Sequence, residues 1–405
     1  MEKLNHLNYY RLPWNLADNI ITWLEPTSEC NLYCEGCYRK NERKSHKPLE
    51  KIKEELGIIK RQRKTDAISI AGGEPLIHPQ ITEIVKLISE MGIKPIINSN
   101  GIALTAELLK ELKKAGVYGF TFHIDSKQRR KGWQNATESE LNELRYKYAE
   151  MVQKEGDMCC SFNSTVYRDT IQYIPEMLEW AQRNIDKVHT MVFILYRMAN
   201  NKNFDYYAGP RKVEVEKLVY NEQTENMKDI KSEEVVEVIR TKYPDFTPCS
   251  YLNGTQEPES FKWLLTGRLA DKKRVYGYMG GKTMELIQAV HHLIFDKYLA
   301  YSRPKWFKTG KTILLTGIFD KKTREAVKEF YRNPLRVFTG LYYQSVMIIQ
   351  PIDMLEDGRQ NMCDGCPDMT VWNGKLVWSC RLEEQLNYGM NVQAYPREMA
   401  EMASE

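Results

Sequence analysis

The first 200 residues alternate short apolar runs with segments of helical spacing. Six such runs occur, including "NIITWLEP", "DAISIAGGEP" and "KPIINSNG". This alternation is typical of a parallel sheet covered by helices, and right-handed crossovers curl such a sheet into an open or closed barrel. The sequence therefore predicts an α/β fold, a parallel β/α partial barrel of the β6/α6 type.

The alternation ends near residue 200, at the polar segment "NNKNFDYYAGPRK". Beyond it, "SEEVVEVIRTKY" and "KTMELIQAVHHLIFDKYLAYS" have helical spacing. We therefore predict three regions: the partial barrel in 1–200, a mainly helical substrate-covering region in 201–345, and a small C-terminal segment in 346–405 that carries cysteines.

Composition excludes several classes of protein. The 58 basic and 54 acidic residues give a net charge of +4, too small for a nucleic-acid binder driven by bulk charge. No run of 18 apolar residues predicts a membrane span. The first residues, "MEKLNHLNYYRLPWNLADN", do not resemble a signal peptide. We expect a cytoplasmic protein, whose cysteines stay reduced and bind metal or do redox chemistry.

Three cysteines, Cys30, Cys34 and Cys37, lie within eight residues directly after the first predicted strand. Thiolates are the usual ligands of iron–sulfur clusters, and three of them would leave one iron of a [4Fe-4S] cluster open to another ligand. The alternative is a zinc site that takes a fourth ligand from Glu35 or a distant histidine.

Polar residues follow the other predicted strands where each one ends. The carboxyl ends of parallel strands share one edge of the sheet, and ligands bind there in α/β proteins. The candidate residues at this edge are Gly72, Gly73, Glu74, Pro75, Asn98, Ser99, Asn100, His123, Asp125, Asn163 and Arg197.

A second cysteine group lies in "CDGCPDMTVWNGKLVWSC", with Cys363, Cys366 and Cys380 in the spacing C-x2-C-x13-C. The "WNGK" stretch between two apolar runs predicts a hairpin that carries these thiolates. The group suggests a second iron–sulfur cluster, with an open iron or with a fourth ligand such as Cys249. Structural zinc is again the alternative.

Taken together, these motifs resemble those of the radical S-adenosylmethionine (SAM) enzymes. The run Cys30-x3-Cys34-x2-Cys37-Tyr38 resembles their signature loop, and "SIAGGEPLIHP", "NSNG" and "HIDS" resemble their motifs after strands two, three and four. The resemblance covers about residues 18 to 200.

The resemblance implies a [4Fe-4S] cluster that binds SAM, cleaves it reductively to a 5′-deoxyadenosyl radical, and takes electrons from a donor such as flavodoxin or ferredoxin. Glu74 would accept a hydrogen bond from the SAM ammonium, and Gly72 and Gly73 would let the backbone approach the methionine. Asp125 would bind the ribose or cap the next helix. Arg197 would pair with the SAM carboxylate or form a salt bridge at the rim.

Two narrower resemblances bear on the substrate. The C-x2-C-x13-C spacing is similar to that of the GTP 3′,8-cyclases, but "PDMTV" after Cys366 lacks their arginines, so we do not carry GTP over. The first 200 residues resemble the adenosylhopene transferases, including His123. That resemblance implies an apolar, lipid- or isoprenoid-like substrate, attacked by radical addition or hydrogen abstraction.

Other readings stay open. One is a radical SAM enzyme that modifies a peptide or a small metabolite, and another is a non-catalytic zinc-binding protein. A third is a peripheral membrane protein whose aromatic middle region contacts lipid, which is compatible with the enzyme. The apolar segment "ELIQAVHHLIFDKYLAYS" is better explained as a helix of the core than as a lipid pocket.

Overall fold

A computed structural model describes residues 4–196, 203–215, 218, 230–302 and 310–397. In its N-terminal half, strands alternate with helices as predicted. The strands are β1 (Tyr10–Arg11), β2 (Ile21–Thr27), β3 (Ala67–Gly72), β4 (Lys94–Ser99), β5 (Gly119–His123), β6 (Cys159–Val166) and β7 (Thr190–Leu195). The helices are α1 (Leu49–Gln62), α2 (Ile81–Glu90), α3 (Ala106–Ala115), α4 (Leu141–Glu155) and α5 (Ile174–Arg183).

Strands β2 to β7 form a parallel sheet in chain order, so all six predicted strands are confirmed. One face of this sheet packs against the helices through fully buried side chains such as Ile68, Ile97 and Phe162. Helix α3 shows why the helices begin and end where they do. The Thr105 hydroxyl accepts a hydrogen bond from the Leu108 amide, and Gly116 ends the helix with a φ of +98°.

The middle region contains both helices and strands. Its helices are α6 (Ser232–Arg240), α7 (Gly281–Phe295), α8 (Gly310–Leu314) and α9 (Lys321–Tyr331), with 3-10 turns at Leu315–Ile318 and Pro334–Phe338. Its strands are β8 (Phe204–Ala208), β9 (Arg211–Lys212), β10 (Ser250–Leu252), β11 (Trp263–Ala270), β12 (Val275–Tyr278) and β13 (Tyr342–Ile349).

Strands β10, β11, β12 and β13 continue the central sheet, which the sequence did not predict, while β8 and β9 form a separate small sheet with a later strand. Strand β13 pairs parallel to β7 and antiparallel to β11, and β10 and β1 follow β11. The predicted boundary at residue 345 falls inside β13, a strand that the sequence did not predict. The reason is that β10, β11 and β13 are single strands with no alternating partner helices, so the β/α pattern does not reveal them.

The sheet curls so that its two ends share an inner core, as expected for a partial barrel. Ile21, Ala67 and Ile96 from β2, β3 and β4 belong to the same buried cluster as Leu252 and Trp263 from β10 and β11. We call the face of the sheet that lines this core, opposite the helices, the inner wall.

The C-terminal segment consists of short elements that pack on the earlier ones. They are β14 (Asp353–Met354), β15 (Gln360–Asn361), β16 (Met369–Trp372), β17 (Lys375–Trp378), α10 (Leu382–Tyr388) and β18 (Gln393–Pro396). Strands β16 and β17 form the predicted hairpin, with Asn373 and Gly374 both at positive φ. Across the described residues, no helix combines the length and apolar character needed to cross a bilayer.

Candidate functional site

The first cysteine group lies on the loop between β2 and α1, at the edge where the parallel strands end. The Asn41 side chain holds this loop closed, because it accepts from the Cys30 amide at 3.0 Å and donates to the Cys30 carbonyl at 2.9 Å. At Gly36 a Cβ would lie 2.8 Å from the Tyr167 hydroxyl, so the loop packs closely against the end of β6. The loop is therefore fixed onto the sheet rather than projecting from it.

The three thiols are partly exposed and have unfavourable surroundings for negative charge. Burial raises the pKa of Cys30 and Cys37, and it raises the pKa of Cys34 well above its usual value, with the Asp125 charge adding to the effect. Thiolates form here only with a compensating positive charge, which iron would supply.

The two glycines of "GGEP" are needed for a reason that the sequence did not predict. A Cβ on Gly72, whose φ is +102°, would lie 2.4 Å from the Thr27 carbonyl oxygen, and a Cβ on Gly73 would lie 2.2 Å from the Glu29 carbonyl oxygen. The Gly73 and Glu74 amides donate to these same two carbonyls, both at 2.8 Å. The glycines therefore let the end of β3 lie directly against the chain that leads into Cys30.

Glu74 is fully buried and already has three hydrogen bonds from the protein. Its Oε1 accepts from the Leu76 amide at 2.9 Å and the Ser99 hydroxyl at 2.7 Å, and its Oε2 accepts from the Asn100 amide at 2.7 Å. Burial raises the pKa of this carboxyl. Glu74 thus joins the turn at Pro75 to the end of β4, and only Oε2 retains capacity for a further donor.

His123 and Asp125 form a pair at the end of β5. The His123 Nε2 lies 2.9 Å from the Asp125 carboxylate and 3.0 Å from the Thr165 hydroxyl. Asp125 is buried, and although burial opposes it, the hydrogen bond from His123 lowers the pKa of Asp125. Asp125 also accepts from the Lys127 amide, whereas α4 begins only at Leu141, so Asp125 orients His123 and does not cap the next helix.

Two amides on the inner wall have buried polar atoms without a protein partner. They are the Nδ2 of Asn98 and the Oδ1 of Asn163. A buried polar atom without a hydrogen bond costs about 1–3 kcal/mol, so such atoms commonly mark a place where a ligand or water binds. Asn100, by contrast, donates to Asn31 at 2.7 Å and lies 3.8 Å from the Cys30 sulfur. Arg197 lies outside the described residues.

The second cysteine group is more deeply buried. Cys363 and Cys366 lie on the loop before the hairpin, and Cys380 lies in the 3-10 turn after it. The Cys363 and Cys366 side chains hydrogen bond to each other, which lowers the pKa of Cys363 and raises that of Cys366. Burial raises the pKa of Cys380 to about 12. The fold thus brings the three predicted thiols together.

Cys249, the predicted fourth ligand, is directed elsewhere. Its thiol donates to the Leu265 carbonyl at 3.2 Å and lies 3.8 Å from the Ser250 hydroxyl. The carboxyl of Asp368 lies near all three thiols, and its negative charge works to raise the pKa of each one. Burial raises the pKa of Asp368 itself to about 7. Sequence spacing carries no information about the direction of a buried side chain, so Cys249 as the fourth ligand stays a prediction.

A buried ion pair joins the two cysteine groups, and no local pattern in the sequence indicated it. The Arg39 guanidinium donates to both carboxylate oxygens of Glu25 on β2, and also to the Ser379 carbonyl at 2.7 Å. The Arg39 backbone amide donates to the Cys37 sulfur at 3.4 Å. Since Ser379 directly precedes Cys380, one residue connects the two groups.

Each cysteine group offers three thiols, a donor set that fits a [4Fe-4S] cluster. Within the described ranges, no three His, Cys, Asp or Glu side chains surround a point that one metal ion could occupy. A [4Fe-4S] cluster does not need such a point, because each thiolate binds a different iron.

Residues 24–189 match the family model described as the Radical SAM superfamily. This part of the chain, about two fifths of its length, is therefore similar to the radical SAM superfamily. Proteins of this superfamily use a [4Fe-4S] cluster and SAM, the two cofactors that the cysteine loop and the strand-end motifs predicted.

Curated relatives match part of the chain. A 7,8-dihydro-6-hydroxymethylpterin dimethyltransferase of Methanocaldococcus jannaschii is 29% identical over 45% of this chain and 37% of its own length. An AdoMet-dependent heme synthase of Methanosarcina barkeri is 26% identical over 44% and 51%. A probable GTP 3′,8-cyclase of M. jannaschii is 35% identical over 25% and 34%. The chain thus spans between a third and a half of these relatives.

Solved structures with a similar arrangement include Streptococcus suis SuiB bound to S-adenosylmethionine, 18% identical over 46% of this chain and 43% of that chain, with a TM-score of 0.37. Methylornithine synthase matches at 11% identity over 56% and 63%, with a TM-score of 0.38. The assignment of the fold depends on the strand order described above rather than on these similarities.

Proposed function

We propose that this radical SAM protein is an enzyme that binds its SAM-cleaving [4Fe-4S] cluster at Cys30, Cys34 and Cys37. When bound, the cluster and SAM supply reductive cleavage to a 5′-deoxyadenosyl radical. The observation that carries the proposal is the meeting of three loop thiols with unpaired polar atoms at one edge of a curled parallel sheet. Neither feature alone would distinguish a reaction site from a structural metal site.

The protein residues have separate tasks in this proposal. Asn98 offers an unpaired donor and Asn163 an unpaired acceptor, which suit the polar groups of SAM. Asp125 and Thr165 fix the His123 ring beside them. Glu74 and the glycines act mainly through the backbone, since they hold the end of β3 against the loop that carries Cys30.

A second [4Fe-4S] cluster is proposed at Cys363, Cys366 and Cys380. The C-x2-C-x13-C spacing, the three converging thiols and the nearby Asp368 support it. Because Arg39 connects this group to Cys37, the second cluster would lie next to the first. Its role is to exchange an electron or to bind substrate. The external electron donor is proposed to be a flavodoxin- or ferredoxin-like protein.

The inner wall supports an apolar substrate. Asn163 and Thr165 on β6 are paired in register with Val192 and Ile194 on β7. Those two are paired in turn with Met347 and Ile349 on β13. Strand β11 adds Leu265 and Trp263 in register with these last two. The wall is therefore polar at β6 and apolar from the neighbouring strand β7 onwards. This suits SAM on one side and a lipid- or isoprenoid-like substrate on the other.

The test is to reconstitute the protein anaerobically and add dithionite with SAM labelled in its adenosyl group. We expect iron and sulfide for two clusters and reductant-dependent formation of 5′-deoxyadenosine. A colourless protein that contains zinc, or no SAM cleavage under reduction, would overturn the proposal. With a membrane extract present, label in a solvent-extractable product would support addition to an apolar alkene. Label transferred to a peptide or a polar metabolite would support the alternative substrate classes.

A further inference from the structure

Exposed apolar side chains are concentrated in one part of the molecule. Of the 19 large hydrophobic residues that are exposed in the described structure, 11 lie between residues 286 and 338. Scattered exposed apolar residues are normal on a soluble protein, whereas a concentration of them marks an interaction surface. This part of the chain therefore needs a separate explanation.

Helix α7 supplies the first half of this surface. Its inner face contains the buried residues Thr283, Met284 and Gln288. Its outer face exposes Leu286, Val290, Leu293, Ile294 and Phe295, with Leu293 86% exposed. Residues 286, 290, 293 and 294 follow helical spacing, so they form one continuous apolar stripe. The helix thus packs on one face and exposes an apolar stripe on the other.

The 3-10 turns on either side of α9 supply the second half. The turn Leu315–Ile318 and the residue after it expose Leu315, Ile318 and Phe319, and the turn Pro334–Phe338 exposes Leu335 and Phe338. The hydroxyls of Thr283 on α7 and Thr316 in the first turn lie 3.0 Å apart, so this turn packs beside the start of α7. We call these ten residues the apolar surface: Leu286, Val290, Leu293, Ile294, Phe295, Leu315, Ile318, Phe319, Leu335 and Phe338.

Five of the ten residues of the apolar surface lie in a basic segment of the chain, residues 310–340. Residues 310–340 contain seven Lys and Arg against three Asp and Glu. Outside this segment the counts are 51 and 51, so the whole net charge of +4 comes from these 31 residues. Lys321, Lys328 and Arg332 on and after α9 are exposed. Apolar side chains flanked by cations are typical of proteins that lie on an anionic bilayer.

The apolar surface is separate from the cysteine site. Lys64 and Asp18, which precede β3 and β2, form ion pairs with Asp296 and His292 at the end of α7. The C-terminal half of α7 therefore lies at the edge where the parallel strands begin, opposite the edge that carries the cysteine loop.

We propose that the apolar surface docks this protein on an anionic lipid membrane. A second copy of the chain fits less well, because a symmetric dimer would bring two segments of like charge together. The anionic headgroups of a bilayer complement the exposed cations, and the apolar side chains enter the region between headgroups and acyl chains. The docking is peripheral, and it does not depend on the proposed chemistry.

The experiment is flotation of the purified full-length protein with vesicles of phosphatidylcholine alone or of phosphatidylcholine with phosphatidylglycerol. We expect flotation with the anionic vesicles and a marked decrease when salt is raised. Leu293→Ser with Phe295→Ser should weaken partitioning roughly tenfold or more, since two large apolar contacts are lost. Lys321→Glu with Lys328→Glu should weaken it on anionic vesicles alone.

The matched control is Leu7→Ser with Leu386→Ser, two exposed apolar residues outside the surface, which should float like the unmodified protein. Circular dichroism of each variant reports whether it is folded. Protein that stays at the bottom with every vesicle would overturn the proposal. So would a dimer, seen by size-exclusion chromatography, that Leu293→Ser with Phe295→Ser dissociates, because a second copy would then cover the surface. Neither result depends on SAM cleavage.

Discussion

The two cysteine groups differ in how the protein surrounds them. Cys30, Cys34 and Cys37 are partly exposed on a loop at the edge of the sheet, with unpaired amides nearby on the inner wall. Cys363 and Cys366 are buried in the core, where the Arg63 guanidinium donates to the Cys366 carbonyl at 2.6 Å and the Pro367 carbonyl at 3.0 Å. The first group can exchange a small molecule, while the second is built into the packing between the N- and C-terminal parts of the chain.

The comparison predicts that loss of the first group abolishes activity without removing the second cluster. Cys34→Ala should lower the iron content from about eight to about four per chain, because each [4Fe-4S] cluster holds four irons. Formation of 5′-deoxyadenosine should fall to background. The measurements are iron and sulfide analysis with chromatography of the SAM products. An unchanged iron content would contradict the assignment of this loop.

Loss of the second group should have a different signature. Cys366→Ala should also remove about half of the iron, but reductant-dependent SAM cleavage should persist at the first group. We expect a lower thermal midpoint as well, since the site is part of the core. The control is Cys160→Ala, a fully buried cysteine on β6 outside both groups, which should retain both clusters. Complete loss of SAM cleavage in Cys366→Ala alone would show that the two groups do not have separate roles.

Arg39 tests the connection between the groups. Its side chain and that of Glu25 are 3% and 5% exposed. Arg39→Met would leave the Glu25 carboxylate buried without its partner, and we expect about 3–5 kcal/mol of destabilisation. Arg39→Lys keeps the charge but loses the two-pronged contact and the bond to Ser379. In that variant we expect smaller destabilisation and altered reduction potentials of both clusters.

Potentiometric titration followed by electron paramagnetic resonance measures the potentials in Arg39→Lys. The control is Arg145→Lys, which alters a buried pair with Glu138 that lies away from the second group. Equal potentials in Arg39→Lys and the unmodified protein would mean that Arg39 only holds the fold together.

The sequence predicted what depends on local pattern. The six strands, the hairpin at Gly374 and the three thiols of each group follow from spacing and periodicity, and the structure confirms the elements. The sequence could not predict pairings between distant parts of the chain. The join of β13 to β7 and the contact from Arg39 to Ser379 link residues far apart in sequence, and an arginine or a single strand carries no local sign of its partner. The close approach of Gly72 to the backbone of Thr27 is a further case, because Thr27 lies on another strand. From the sequence alone, the glycine was therefore assigned only to SAM.

The smallest expected effect is that of removing one of the unpaired amides, which lie near the first cysteine group and not near the second. Asn163→Ala removes the unpaired Oδ1 from the inner wall. If that atom binds SAM, the KM for SAM should rise about five- to tenfold, since one hydrogen bond contributes about 1 kcal/mol. The stability of the ligand-free protein should hardly change, because no protein hydrogen bond of that oxygen is lost. Thermal melts with and without SAM separate the two effects.

The control is Asn184→Ala. Asn184 directly follows α5, far from the loop, and its side-chain amide donates to the Trp180 carbonyl. If Asn163→Ala lowered the melting temperature without SAM and left the SAM-induced shift intact, the amide would be structural, and the polar half of the inner wall would owe its SAM binding to Asn98 and His123.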